Sequence, residues 1–369
     1  MTGVLASALA PYLAEVLGAR VDDVSVRPLG GGEGDDVKGF GYGVPLAVRC
    51  RANGRVRDVV IARTRPVAGF GHDYPADRAW QAIFSHAAYN SFPCHARSLD
   101  VGCVRPGGAL VSVGDAVEYF QVVEMVDGTL YKIDLERLLD GALEERDLLR
   151  ARALARFLAG AHQQRHTDPA LYQRRIRELV GHGECLMGIL DSYPHPYAPL
   201  PPAACEAIER AAVGWRWRLR ERTDRLARVH GDFHPWNLLF REGADFTALD
   251  RSRGEWGEPA DDVAALGINY LFFGLLRAAR ERRPGTVAEP FATLFHVFVD
   301  TYAAASGDAD LFAVIPPFFA FRALVLAHPR WYPTLDDVTR AAILRLARTM
   351  MEGGAVDAAR LPESLGAAA

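Results

Sequence analysis

The stretch R228-V-H-G-D-F-H-P-W-N-L-L-F240 puts His230, Asp232, His234 and Asn237 within eight residues. Glycine, proline and tryptophan are interleaved, and an apolar run, Leu238–Leu239–Phe240, follows. The two histidines are four apart, a spacing that shares a face on a helix, but Gly231 and Pro235 argue against a helix here. No HExxH and no third ligand at a convincing distance accompanies them, so a zinc site is disfavoured. Taken alone, His-Gly-Asp is an ordinary turn.

The surroundings give the stretch more meaning. Asp232 and Asn237 are five residues apart, and after the turn REGAD a second short strand, FTALD, ends at Asp250. A carboxylate, a carboxamide and a second carboxylate at a strand end form a set suited to phosphoryl transfer. The first orients the attacking hydroxyl and accepts its proton. The other two offer hard oxygens to magnesium ions bridging the phosphates.

Outward from this stretch, the chain changes texture. The first third reads as strands: VSVRPL from 24, a run after Gly30–Asp36 that ends in LAVRC, and DVVIARTRP over 58–66, with Asn53–Gly54 suiting a tight hairpin. Ala6 to Leu17, interrupted by Pro11, reads as a short amphipathic helix. Pro75 and Asp77 fit the first turn of another. AVEYFQVVEMVDG, 116–128, reads as a central strand ending at a glycine. From about 133 helical periodicity dominates. Asp168–Pro169 closes the longest pattern, one helix is expected from Pro202 to Arg228, and helices continue from Glu289 to Met351 with breaks at Pro316–Pro317 and Pro329. Strands first and helices after predict an α+β chain: a β-rich lobe over 1–125, a helical lobe over 126–355 and a tail over 356–369.

Composition bounds the partners. The 369 residues are 50% hydrophobic and 24% charged, with a net charge of −4, which describes a folded protein without the basic excess of a nucleic-acid binder. No secretory signal and no run long enough for a membrane span is apparent. LGINYLFFGLLRAAR, from Leu266, reads as a buried helix. Five widely spaced cysteines without a CxxC predict free thiols and a cytoplasmic location. No nucleic-acid or membrane partner is expected, and the oligomeric state is left open.

HGDFHPWNLLF, ALD at 248–250, GEPADDVAAL from Gly257, FLAGAH ending at His162 and VVEMVDG at 122–128 together resemble the aminoglycoside phosphotransferase and choline kinase family, which is protein-kinase-like in fold. The resemblance covers roughly Gly30 to Ala265. It implies Asp232 as catalytic base, Asn237 and Asp250 as magnesium ligands, and His230 and Asp262 as supports of the loop. It implies backbone contacts to adenine from Glu124, Met125 and Val126, and a phosphate loop containing Gly31, Gly32 and Gly34. The expected cofactors are ATP and Mg2+, and the expected partner is a small-molecule hydroxyl acceptor: an antibiotic, sugar, amino alcohol or nucleoside.

Two departures from the family pattern stand out. Arg63 or Arg65 stands where the phosphate-binding lysine is expected, and the helix that follows lacks the partner glutamate, with Gln81 the next polar residue on its face. RSRGEW follows Asp250. His234, Arg251, Arg253, Glu255 and Trp256 are therefore acceptor-binding candidates, although the arginines could instead pair with Glu255 and Asp261. Unpaired arginines there would repel a cationic aminoglycoside. The alternative to a small-molecule kinase is a nucleotide-binding pseudokinase acting as a regulatory or scaffold module.

Overall fold

The computed structural model describes residues 2–29, 41–43, 45–67, 70–354, 357 and 361–365. The expected glycine loop, with Gly31, Gly32 and Gly34, lies outside the described residues. The chain divides into two compact units, Met1–Val123 and Glu124–Ala369.

In the first unit, helix α1 (Thr2–Leu17) precedes strands β1 (Val21–Pro28), β2 (Leu46–Ala52) and β3 (Arg55–Ile61), which form an antiparallel meander. Leu46, Val48, Cys50 and Ala52 of β2 point inward while Arg49 and Arg51 point out, the period-two pattern of a half-buried strand. Leu9 and Leu13 of α1 cover that face. The helix runs through Pro11 instead of breaking there. One missing N–H costs less than the apolar surface its two leucines bury. Asn53 and Gly54 turn the hairpin with φ of 46° and 77°, the left-handed pair that a two-residue loop requires.

Two expectations for this unit need correction. Strand β3 ends at Ile61, so Arg63 and Arg65 lie beyond it. Thr64 makes a single bridge to Gly43, and the Arg65 N–H donates to Tyr42 O at 3.0 Å. After helix α2 (Pro75–Ser91) and the small hairpin β4 (Gly102–Val104) and β5 (Leu110–Ser112), residues 116–128 form no strand. Val117, Phe120, Val122, Val123 and Met125 are exposed, and the Tyr119 N–H donates to the Glu118 carboxylate at 2.8 Å. β-forming residues specify a strand only where a second backbone takes up the ladder bonds.

The second unit opens with β6 (Thr129–Leu130), α3 (Tyr131–Arg137) and α4 (Glu145–His162). Helices α5 (Pro169–Gly181), α6 (Leu186–Ser192) and α7 (Pro202–Leu219) follow. Asp168–Pro169 starts a helix: the Asp168 carboxylate accepts the Leu171 N–H at 3.0 Å, an N-cap followed by proline in the first turn. The helix expected to reach Arg228 stops at Leu219. A 3-10 turn and β7 (Ala227–Arg228) take over, placing Arg225 against two buried carboxylates, Glu258 and Asp308. Next come β8 (Leu238–Phe240), β9 (Phe246–Ala248) and β10 (Trp256–Gly257). Strands β6, β8 and β9 form one small sheet, and β7 pairs with β10.

Helix α8 (Pro259–Arg280) is the core of this unit. It is long and apolar enough to cross a membrane by length and composition, yet most of it is buried in protein. Around it stand α9 (Glu289–Ser306), α10 (Leu311–Val314), α11 (Pro316–Ala327) and α12 (Asp337–Glu352). The expected break at Pro316–Pro317 is present: α10 ends at Val314, and the two prolines start α11 in its first turn, where a missing N–H is harmless. Phe272, Phe273, Phe318, Phe319 and Phe321 are all buried core residues. The observed class is α+β, with a small β-rich unit followed by a larger helical one.

Candidate active site

The Arg228–Phe240 stretch begins on a strand and leaves it abruptly. Arg228 and Ala227 pair with Trp256 and Gly257, and the Val229 N–H donates to Glu255 O at 3.1 Å. At the next two residues the ladder partner is a side chain. Asp262, in the first turn of α8 and fully buried, accepts the N–H of His230 and the N–H of Gly231, each at 2.7 Å. His162 at the end of α4 lies 3.1 Å from the same carboxylate, and its other ring nitrogen lies 2.8 Å from the Tyr302 hydroxyl of α9. Burial alone would raise the Asp262 pKa; the bonds from His162 and from the His230 backbone outweigh it and hold the carboxyl below its usual range. Four segments are thus tied to one buried charge.

Gly231 is required where it stands. Its φ is +86°, and a Cβ there would come within 3.0 Å of the Arg253 Cβ. Only glycine takes both the left-handed backbone and the close approach without strain. The following residue, Asp232, is turned toward the helices. The Asp232 N–H donates to His230 Nδ1 at 3.3 Å, and burial pushes the His230 pKa down, so this ring supports the loop in its neutral form.

The side chain of Asp232 is half-buried and paired on both oxygens. An Arg322 guanidinium nitrogen donates to Oδ1, and His234 Nε2 lies 3.4 Å from Oδ2. The His234 ring is held by the Trp236 N–H, 3.3 Å from Nδ1, and by the Asn237 side-chain NH2, 3.3 Å from Nε2. Burial would raise the Asp232 pKa, but the His234 bond and the charges of Arg322 and Arg253 hold it far below the usual carboxylate range. Asp232 is an anion at any physiological pH.

Asn237 and Asp250 are brought to adjoining ends of one hairpin. Leu238 pairs with Ala248, and the Leu249 N–H donates to Asn237 O at 2.8 Å. The Asn237 side-chain NH2 donates to the Asp232 carbonyl at 3.1 Å, which fixes the amide and leaves Oδ1 open. Asp250 is exposed, with φ +51°, a strained conformation for a residue with a side chain and one concentrated at functional sites. A carboxamide oxygen and a carboxylate suit a hard cation that keeps water and phosphate in its shell. Among the described residues no group of three or more His, Cys, Asp or Glu is arranged to hold a metal.

The structure sorts the acceptor-binding candidates. Arg251 donates to the Val229 and Glu255 carbonyls at 2.8 and 2.9 Å, so its guanidinium is spent on the loop backbone. Glu255 accepts the Trp256 indole N–H at 3.0 Å, and Trp256 stacks on His166 at 4.9 Å. Arg253 lies over the Phe321 ring at 5.4 Å. Tyr270 is buried, with its hydroxyl 3.0 Å from that of Tyr131, and is a core residue. Trp236 is half-buried beside Phe273 and Tyr332.

Of the nucleotide-binding candidates, Arg63 in the first unit has a buried Nε without a hydrogen-bond partner, while the neighbouring Thr64 hydroxyl donates to Gln81 at 3.1 Å. Glu124 and Met125 are exposed and Val126 half-buried at the start of the second unit.

Arg322 was not anticipated. Besides Asp232 it contacts Gly231 O at 2.8 Å, and Asp261 Oδ1 from two nitrogens at 2.8 and 3.2 Å. Its signal in the sequence was one charge inside the apolar helix PPFFAFRALVLA, a pattern that calls for a buried partner.

Comparison with known proteins bears on the same residues. A family model described as "Phosphotransferase enzyme family" matches residues 104–303, more than half of the chain. Among solved structures, a glucosamine kinase in complex with glucosamine, ADP and inorganic phosphate is 19% identical, with 60% of this chain and 57% of that one covered and a TM-score of 0.32. A second glucosamine kinase structure is 20% identical over 99% of this chain and 98% of that one, with a TM-score of 0.40. An ADP-bound aminoglycoside phosphotransferase is 12% identical over 92% and 97%, with a TM-score of 0.34. Likeness of this degree says nothing about which acceptor this chain takes. No curated protein sequence matches. From the family match, which spans the Gly231 turn, the β8–β9 hairpin and the start of α8, the chain belongs to the phosphotransferase enzyme family.

Proposed function

We propose that this phosphotransferase moves the γ-phosphoryl group of ATP, with magnesium, to a hydroxyl of a small neutral or anionic molecule. The observation that carries the reading is the convergence of Asp232, Asn237 and Asp250 on one hairpin and one clamped turn. Asp232 orients the acceptor hydroxyl. The acceptor oxygen bonds to the γ-phosphorus as the bond to the bridging oxygen breaks, its electron pair leaving with ADP. The hydroxyl proton passes to Asp232 and then to solvent. A carboxylate held so far below its usual pKa is a weak base, which suits a loose transition state in which the proton leaves late. Asn237 Oδ1 and Asp250 are the residues that would hold magnesium, which supplies charge neutralisation on the phosphates.

The charge around Asp232 supports the acceptor class. Arg322 and Arg253 both act on this carboxylate, which weakens its pull on a polycation. The free thiols support a reducing, cytoplasmic setting. The test is product mass after incubation with magnesium and ATP over a panel of neutral, anionic and cationic hydroxyl compounds. One phosphoryl group gained on a neutral or anionic acceptor, formed at least about 100-fold more slowly by Asp232→Asn, is the expected result. Nucleotide bound without any phosphorylated product across the panel would overturn the reading in favour of a binding module. A product confined to polycations would overturn the acceptor class.

A further inference from the structure

Arg322 makes contacts that a general core arginine does not need. It is buried on α11, beyond the stretch matched by the family model. Its guanidinium bonds the Asp232 carboxylate, the Gly231 carbonyl and the Asp261 carboxylate. Two of these three acceptors belong to the turn that presents Asp232. The third, Asp261, stands in the first turn of α8 beside Asp262, which holds the same turn through its N–H groups. The turn is therefore gripped on both sides: its N–H groups by Asp262, its carbonyl and reacting side chain by Arg322.

Resting on the proposed phosphotransfer at Asp232, we propose that Arg322 is a positioning residue: it fixes Asp232 Oδ1 and the Gly231 carbonyl so that Oδ2 alone is presented to the acceptor hydroxyl. The geometry supports a division of labour between the two oxygens. Oδ1 faces the buried guanidinium, whereas Oδ2 lies 3.4 Å from Nε2 of the half-buried His234. A planar guanidinium donating to two oxygens of one turn sets orientation as well as charge, which a lysine's point charge does not. Asp261 makes the arrangement workable. It shares Arg322, so the cation is held in place by a second carboxylate and does not simply neutralise Asp232. The stacking of Arg322 on Phe321, at 4.9 Å, restricts the plane of the fork.

The experiment compares the full chain with Arg322→Gln, Arg322→Lys, Asp232→Asn and the double variant Arg322→Gln/Asp232→Asn. It uses the acceptor identified by product mass and follows binding of magnesium–ADP by calorimetry. Arg322→Gln should lower kcat by about 100-fold, the scale of misplacing a reacting group by an ångström. Acceptor KM and magnesium–ADP affinity should change less than about threefold, because Arg322 contacts neither ligand in this reading. Arg322→Lys should recover part of kcat. In the Asp232→Asn background the Gln substitution should have little further effect, since two residues acting as a unit are not additive.

Arg322→Gln turning over within about twofold of wild type would overturn the inference while leaving the phosphotransfer reading intact. A loss of equal size in both backgrounds would also overturn it, marking Arg322 as a support of the fold alone. Should the Gln variant fail to fold, the Lys variant decides: full wild-type kcat with a point charge would show that the fork geometry is not needed. An Asp232→Asn variant turning over within about tenfold of wild type would overturn the reading of the site itself, a result distinct from either of these.

Discussion

Asp232 carries the clearest residue-scale prediction. Its carboxylate bonds Arg322 and faces His234, and Asn keeps the shape while removing the charge. Asp232→Asn should lower kcat by about 10²–10⁴-fold, the usual worth of a positioned acid–base group, with magnesium–ATP affinity nearly unchanged. Steady-state kinetics beside calorimetry checks it, and activity within tenfold of wild type would remove Asp232 from the chemistry. Asn237 poses a different question. Its NH2 is spent on the Asp232 carbonyl, leaving Oδ1 as the atom offered to a cation. Asn237→Ala should raise the magnesium concentration for half-maximal rate by at least about tenfold, read from a magnesium titration at saturating ATP. An unchanged midpoint would take Asn237 out of the ligand set.

At the scale of elements, the N-terminus of α8 decides the shape of the loop. Glu258 accepts the Ala260 N–H at 3.3 Å, and Asp261 and Asp262 follow in the first turn. A helix start is a favourable place for negative charge, yet here the charges also reach outward to Arg225, to α11 and to the turn at Gly231. Asp262→Ala leaves two buried N–H groups, of His230 and Gly231, without their acceptor. Each such loss costs about 1–3 kcal/mol. A urea midpoint corresponding to a loss of about 3 kcal/mol is expected, together with lost turnover. A variant as stable as wild type would mean that other acceptors take over. The β2–β3 hairpin is a simpler case. Gly54 has φ +77° and open space around its Cα, so Gly54→Ala should cost only about 1 kcal/mol of backbone strain, visible as a small shift in the same melts.

For the whole molecule, the helical unit is held by a buried ionic knot as well as by its aromatic core. Arg225, just before β7, donates to Glu258 at 2.7 Å and to Asp308 at 2.7 Å; Tyr172 of α5 donates to Glu258 at 2.8 Å. The knot joins α5, α8 and the segment after α9. Burial opposes ionisation of Asp308, but the bond and charge of Arg225 prevail and hold its pKa below the usual value. A depressed folded pKa contributes stability that is complete above the ordinary carboxylate value of about 3.9. It is lost as pH falls through the folded value. Asp308→Asn should therefore be less stable than wild type by about 2 kcal/mol at pH 7, the worth of a charged hydrogen bond. The gap should narrow as pH falls below about 4. Urea melts across that range check the sign, and a gap that widens on acidification would contradict it.

Order along the chain, from strands to helices, and the spacing of Asp232, Asn237 and Asp250 were legible because local rules write them. Period-two burial in β2, the left-handed Asn53–Gly54 turn and the proline starts of helices depend on residues near one another in sequence. The same rules misread 116–128, Pro11, the strand at Arg63 and the end of α7, where burial or a distant partner overrides propensity. The family resemblance pointed to the turn at 230–237 and expected Asp262 to support it, and Asp262 does accept two N–H groups of that turn. It carried no information on α11. Only the tertiary structure decided that Arg251 serves the backbone, that Tyr270 is core, and that Arg322, ninety residues from Asp232, shares its carboxylate. The reason is physical: a buried charge is settled by whichever opposite charge the fold brings to it, and sequence distance does not enter that balance.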